Sequence, residues 1–408
     1  MRPTTITALL ALSVTGPLSL HAQASRSAAP ANAVTIGTVD TLTSTALKEK
    51  RPYWVYTPPS YHDSTYTPRR YPVLYLLDGD AHFHSVTGLL QILGTGVNGT
   101  YVVPEMIVVA IPNTTDRMRD LTPTHTELGF DGKPSPAMKT SGGMPTFLQF
   151  VQKELIPHID SAYRTAPYRV FVGHSLGGIT TIDALYTMPE TFNAYVAIDP
   201  SLWWDNGTLL KQAKERFSKP LPTKRVLYVG QANTLNPDDT LPNPHFNDIV
   251  QFNSVMEAYN KAGVRYGYKY YPGDDHGSVP LIAEYDALRF IFKDFKSDLV
   301  RGITHPEYIT EHFSQLSQEF GYTMLPPEGM LDLMGIVGGQ VPGARTIEIL
   351  QMATRLYPKS AHALVSLGNG YVAKGEKQSA ITAYERALVI DPKNKAAADG
   401  VQKAKATK

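Results

Sequence analysis

The architecture of this chain is constrained most by five short runs that are apolar on both faces: Tyr71 to Leu77, Met106 to Ile111, Val170 to Val172, Tyr195 to Ile198 and Val226 to Val229. Each ends in residues that stop a strand: Asp78-Gly79, Pro112-Asn113, Gly173, Asp199-Pro200 and Gly230. A strand that is apolar on both faces is buried on both, which is the condition of a parallel sheet covered by helices. Val34 to Val39 and Tyr53 to Thr57 read as two further strands. The intervening segments carry helical spacing, as in Phe147, Phe150, Val151, Glu154 and Leu155, and again in Ile249, Phe252, Val255, Met256 and Tyr259. The expected class is therefore α/β, with a largely parallel central sheet. In such sheets ligands bind beyond the carboxyl ends of the strands. Those ends carry Asp78, Asn113, Ser175, Asp199 and the loop after Gly230.

One strand end has a specific chemical pattern. Gly173-His174-Ser175-Leu176-Gly177-Gly178 follows the run to Val172 and precedes a helix-like segment, Ile179 to Tyr186. A serine hydroxyl raised on a tight strand-to-helix turn needs small neighbours two residues away on either side, because side chains there would collide. The helix that follows aims its N-terminus at the site, so the Leu176 N–H can stabilise an oxyanion. The second donor is expected from the loop after the first apolar run, at Gly79 or Asp80.

A serine nucleophile needs a base. Of the histidines after Ser175, His276 lies in a loop, Tyr270 to Ser278, between a strand and the helix Leu281 to Phe292. It is the expected base, and His245 is the alternative. The acid is expected past the strand Val226 to Val229. The nearest residues there, Gln231-Ala232-Asn233, hold no carboxylate, and Asp239 is chosen from the loop beyond. Asp238, Asp248 and Glu284 are the other options. Asp78, Asp80, His82 and His84 have metal-ligand chemistry, but no further ligand cluster joins them, so neither metal nor cofactor is expected.

The rest of the chain sets limits. It has 408 residues, 42% of them hydrophobic and only 18% charged, a net charge of +1 and no cysteine. Disulfides and thiolate chemistry are excluded, and nucleic acid is a poor partner. Arg2, the apolar stretch Ile6 to Leu20 and Ala22-Gln23-Ala24 have the form of a secretory signal peptide over residues 1–24, implying export to the periplasm or beyond. No other run is long enough for a membrane span. Residues 25–33 form a lead-in, 34–297 the α/β domain, 298–343 a helical linker and 344–408 a small all-α domain. Within the last, residues 361–394 fit a tetratricopeptide repeat through Leu364, Leu367-Gly368, Tyr371, Ala380, Tyr384, Ala387 and Pro392.

Together these residues resemble the esterase branch of the α/β hydrolases that includes enterochelin (siderophore) esterases, feruloyl and acetylxylan esterases and S-formylglutathione hydrolase. The resemblance runs over roughly residues 35–295. It rests on Tyr75-Leu76-Leu77-Asp78-Gly79, the elbow, Pro200-Ser201-Leu202-Trp203-Trp204 and Asp275-His276-Gly277. It implies a carboxylic-ester hydrolase working through an acyl-enzyme, on a small-molecule ester and without cofactor. The Ser-Leu-Trp-Trp stretch is similar to the enterochelin-esterase side, implying substrate contacts at Trp203 and Trp204. Arg117 and Arg119 are similar too, and would suit an anionic or catechol-rich substrate, or equally be ion-paired in their loop. The loop lacks the family's usual acid, so a Ser-His dyad stays open, as do an acyltransferase with the same machinery and a binding protein that docks a partner through the C-terminal repeat.

Overall fold

The computed structural model describes residues 32–96, 99, 101–114, 116–130, 132–235, 243–260 and 263–406. The expected signal peptide, Asp238 and Asp239 lie outside the described residues. Chain order begins with an antiparallel hairpin, β1 (Thr38–Ser44) and β2 (Glu49–Tyr56), followed by β3 (Tyr71–Leu77), α1 (Gly79–Leu93), β4 (Ile107–Ile111) and α2 (Arg117–Asp120). Then come α3 (Met144–Phe150), a π-helical turn at Val151–Leu155, α4 (Ile156–Ala162), β5 (Thr165–His174), α5 (Leu176–Thr187), β6 (Ala194–Ile198) and α6 (Trp204–Phe217). β7 (Arg225–Ala232), α7 (Pro244–Tyr259), β8 (Val264–Tyr271) and α8 (Val279–Ile291) complete the α/β part. The described strands form one eight-stranded sheet in the order β1-β2-β4-β3-β5-β6-β7-β8. The pairs β1–β2 and β2–β4 are antiparallel and the rest are parallel.

The apolar runs do what their two-faced character requires. In β3, Leu74 and Leu76 join the core on one face, while Val73, Tyr75 and Leu77 join the core on the other. Helices α3 to α7 cover the second face; α1 and α8 lie on the first. The strand expected at Val34 to Val39 is found slightly later, as β1. It is an edge strand with mostly exposed residues, so its side chains give little apolar contrast to mark its start.

Seven further helices follow: α9 (Leu299–Thr304), α10 (Pro306–Phe320), α11 (Glu328–Gly338), α12 (Thr346–Leu356), α13 (Ala361–Ala373), α14 (Lys377–Ile390) and α15 (Lys395–Ala406). Their core is continuous with the first face of the sheet. Ile303, Ile309, Phe313, Leu331, Met334 and Met352 belong to the same buried cluster as Leu74, Val170 and Val196. Tyr168 of β5 packs on Phe292 and Phe320 at ring separations of 5.8 and 5.1 Å. Each such ring contributes roughly 1.5–3 kcal/mol by burial. Contact density accordingly makes Ile36–Lys408 one compact unit. Between α13 and α14, Tyr384 lies against Gly368, where a Cβ would come within 2.4 Å of its ring. No helix among the described residues is long and apolar enough to cross a membrane.

Candidate active site

The turn between β5 and α5 holds Ser175 at φ 61°, ψ −116°, a conformation that a residue with a side chain keeps only when its surroundings impose it. They do so here: the Ser175 N–H donates to the Ile198 carbonyl at 2.9 Å, and the Ser201 N–H donates to the Ser175 carbonyl at 3.1 Å. The flanking glycines are needed sterically. A Cβ on Gly173 would sit 2.2 Å from the Gly177 carbonyl oxygen, and one on Gly178 would sit 2.9 Å from Pro200. Leu176 opens α5 and Gly79 and Asp80 open α1, and the two helix starts meet closely. A Cβ on Gly177 would approach the Asp78 carboxylate to 3.1 Å. The elbow expected from the glycine spacing is therefore present, with two sets of leading helix amides beside it.

His276 stands on a loop fixed by its own neighbour. The Asp275 carboxylate accepts the Gly277 and Ser278 N–H groups at 2.9 and 2.8 Å, a local turn that presents His276 above the sheet. The partner of its ring is not the expected one. His276 Nδ1 lies 2.6 Å from Oδ2 of Asp199, at the end of β6. Asp239, the expected partner, lies outside the described residues; among the described residues it is Asp199 that faces His276 Nδ1. Glu284 is engaged elsewhere: its Oε2 accepts from Ser85 Oγ at 3.3 Å, and its Oε1 is 4.0 Å from His82 Nδ1. Asp248 is on α7, and no hydrogen bond from it to His276 is present. The signal for Asp199 was in the sequence, because it terminates a two-faced apolar run just as Ser175 follows one.

Asp199 is fully buried and has all its acceptor capacity arranged. Oδ1 accepts the Ala232 N–H at 2.9 Å, and Oδ2 faces both His276 Nδ1 and, at 2.7 Å, His245 Nε2. Burial by itself would raise its pKa; the hydrogen bonds to His245 and His276 overcome this and hold the carboxyl well below the usual range. These three residues form a group whose ligand-type atoms lie within 4.8 Å of one another, and both imidazoles spend a ring nitrogen on the carboxylate. Two further histidines extend the row: the His174 ring is 4.5 Å from His276 and 5.6 Å from His82. Burial, reinforced by those neighbouring imidazoles, pushes His174 down to about 3, so it is neutral at working pH. Ser201 is buried, and its Oγ is 3.2 Å from Ser175 Oγ.

The structure sorts the expected substrate contacts. Arg117 binds both oxygens of Asp78, at 2.6 and 2.9 Å. Arg119 is held by Glu49 and Asp120. Both guanidiniums are thus committed to carboxylates and tie the loop after β4 to the sheet; neither offers a free cation. Trp204 is buried with its Nε1–H on the Thr124 carbonyl at 3.2 Å, so it is a structural residue. Trp203 remains partly exposed and meets Phe130 edge-on at 5.0 Å. Behind it Asp205, Asn206 and Gly207 are all left-handed, which turns the chain sharply before α6 continues.

A largely parallel sheet with a strained serine on a glycine-flanked elbow, and a histidine–carboxylate pair formed by the loops after β8 and β6, defines a serine hydrolase of the α/β-hydrolase fold. Residues 44–279 match the model of the family described as "Putative esterase". The chain belongs to that family and is a carboxylic-ester hydrolase. It is 28% identical over 275 residues to the ferri-bacillibactin esterase BesA of Bacillus subtilis, an alignment covering 64% of this chain and 91% of that one. Among solved structures it is similar to an IroE-like serine hydrolase from Shewanella oneidensis, with 35% identity and a TM-score of 0.69 over 79% of this chain and 99% of that one. The fold is also similar to that of an uncharacterised protein from Capnocytophaga ochracea, at 17% identity and a TM-score of 0.57, over 91% of this chain and 100% of that one.

Proposed function

We propose that Ser175, His276 and Asp199 form the catalytic triad of a siderophore-type esterase. The observation that carries this is the 2.6 Å contact between His276 Nδ1 and Asp199 Oδ2. It fixes the tautomer in which Nε2 is free to take a proton. Ser175 Oγ attacks the ester carbonyl as His276 Nε2 accepts its proton. The tetrahedral oxyanion is met by the Leu176 N–H and by the Gly79 or Asp80 N–H. Collapse expels the alcohol, which takes the proton from His276, and water repeats the sequence to release the acid and restore Ser175. The names of the relatives support a siderophore ester as substrate.

The N-terminal pattern supports export, and the sequence fit of residues 361–394 supports a tetratricopeptide-like segment with a protein partner. The test is hydrolysis of a catecholate triester, and of a short-chain aryl ester, by wild type and Ser175→Ala. We expect losses above about 10³-fold with the melting temperature preserved. Residual turnover within about tenfold of wild type would remove Ser175 from this role.

A further inference from the structure

His245 is not needed to complete a Ser-His-Asp triad, yet it is built onto one. It is the second residue of α7, whose start is set by Pro244 and by the Asn243 side chain, which accepts the Phe246 N–H at 3.1 Å. Gln231 Nε2 donates to the Phe246 carbonyl at 3.0 Å and secures the same turn to β7. His245 is buried, and its Nε2 points at the carboxylate oxygen that also holds His276. From the first turn of a sixteen-residue helix it faces Asp199 Oδ2 at 2.7 Å, where an Nε2–H can donate to the carboxylate. Its side chain is 9% exposed, that of His276 42%.

Accepting the triad reading above, we propose that His245 is a positioning residue: a neutral Nε2–H donor that locks the Asp199 carboxylate and shares its charge with His276. Two donors on one oxygen occupy both of its lone pairs. Asp199 therefore cannot rotate or take up a proton without breaking a buried hydrogen bond. The carboxylate also stabilises the His276 imidazolium less than an undivided one would. Tyr268 of β8 faces Asp199, and Asp78 faces His174 and His82. His276 faces His174, with His82 and Glu284 beyond it, and has Asp274 and Asp275 on its own loop. His245 faces Asp199 and His276, with Asp248 on its own helix.

The test is the pH dependence of kcat/KM in His245→Phe, which keeps a ring without the donor, and His245→Gln, which keeps an N–H without the ring. In His245→Phe, kcat should fall roughly 10- to 100-fold with KM nearly unchanged, and the acid-limb midpoint should rise by about half a unit or more. His245→Gln should recover most of the loss and return the midpoint toward wild type. An unmoved midpoint in a folded His245→Phe, or a His245→Gln as damaged as His245→Phe, would overturn the proposal. Should His245→Phe not fold, ¹⁵N-histidine spectra of the wild-type protein decide. His245 must stay protonated on Nε2 alone while His276 titrates, and an Nδ1–H tautomer or a joint titration refutes the assignment. Failure of the triad reading itself is seen separately, as activity surviving in Ser175→Ala or His276→Ala.

Discussion

Glu284 offers a quantitative check on the electrostatics beneath the site. It lies on α8, 3% exposed, with Ser85 Oγ on one oxygen and no partner on the other. Burial pushes its carboxyl from 4.5 up to about 8, the Ser85 hydrogen bond opposing only weakly. The neighbouring His82 is itself held down by burial, so it supplies no compensating charge. The folded state thus keeps Glu284 protonated where the unfolded state ionises it. For a raised pKa the associated stability is fully present below 4.5 and is lost as pH rises towards 8. At about 1.36 kcal/mol per unit, the loss between pH 4.5 and pH 7 is about 3 kcal/mol. Glu284→Gln, an uncharged isostere of the protonated acid, removes this dependence. Urea unfolding followed by tryptophan fluorescence at half-unit steps from pH 4.5 to 8.5 should give variant and wild type nearly equal stability at the acid end. The variant should be more stable by about 3 kcal/mol at pH 7. Any constant offset from the amide cancels, because the slope of the difference carries the test. Parallel curves would mean that Glu284 ionises normally in the fold, paired with a protonated His82, and would refute the reasoning.

The other expectations concern the site itself. Asp199→Asn should lower kcat by roughly 10²- to 10⁴-fold through loss of the His276 tautomer, whereas Asp239→Asn should leave kcat within a few-fold of wild type; steady-state assays on an aryl ester compare the two directly. Gly173→Ala forces a Cβ to within 2.2 Å of the Gly177 carbonyl oxygen, which only backbone movement can relieve. It should cost several kcal/mol of stability and abolish turnover, as a thermal melt and an ester assay would report.

Legibility of this fold in the sequence followed burial. β3 was read to its ends because all seven of its residues are buried, and nothing but a two-faced strand explains such a run. The β1 boundary was not, since an edge strand of threonines and exposed residues has weak alternation. The elbow at Ser175 and the loop that carries His276 are legible because their neighbours are constrained: glycines by collision at the elbow, Asp275 by the turn it caps. The contact of Asp199 with His276 is not legible in chain order, because Asp199 lies well before the loop after β7 and the pairing of β6 between β5 and β7 brings the two together. The engagements of Arg117 and Arg119 depend on Asp78 and Glu49, remote in sequence, and so were open until the sheet order was known. The same is true of Trp203 and Trp204, adjacent residues of which one is partly exposed against Phe130 and the other is buried.

The continuous core has a bearing on how this enzyme is made. Tyr168, Phe292 and Phe295 rest on Phe313 and Phe320, and that cluster runs on to Tyr357. A ribosome adding about 5–20 residues per second completes the strand bearing Tyr168 many seconds before its cover emerges. Once synthesis has also passed His276, the proposed triad sits on a sheet with an oily flank, a surface that chaperones bind and that aggregates if left bare. A message broken near codon 300 would leave this flank bare, and translation through Tyr357 completes its cover.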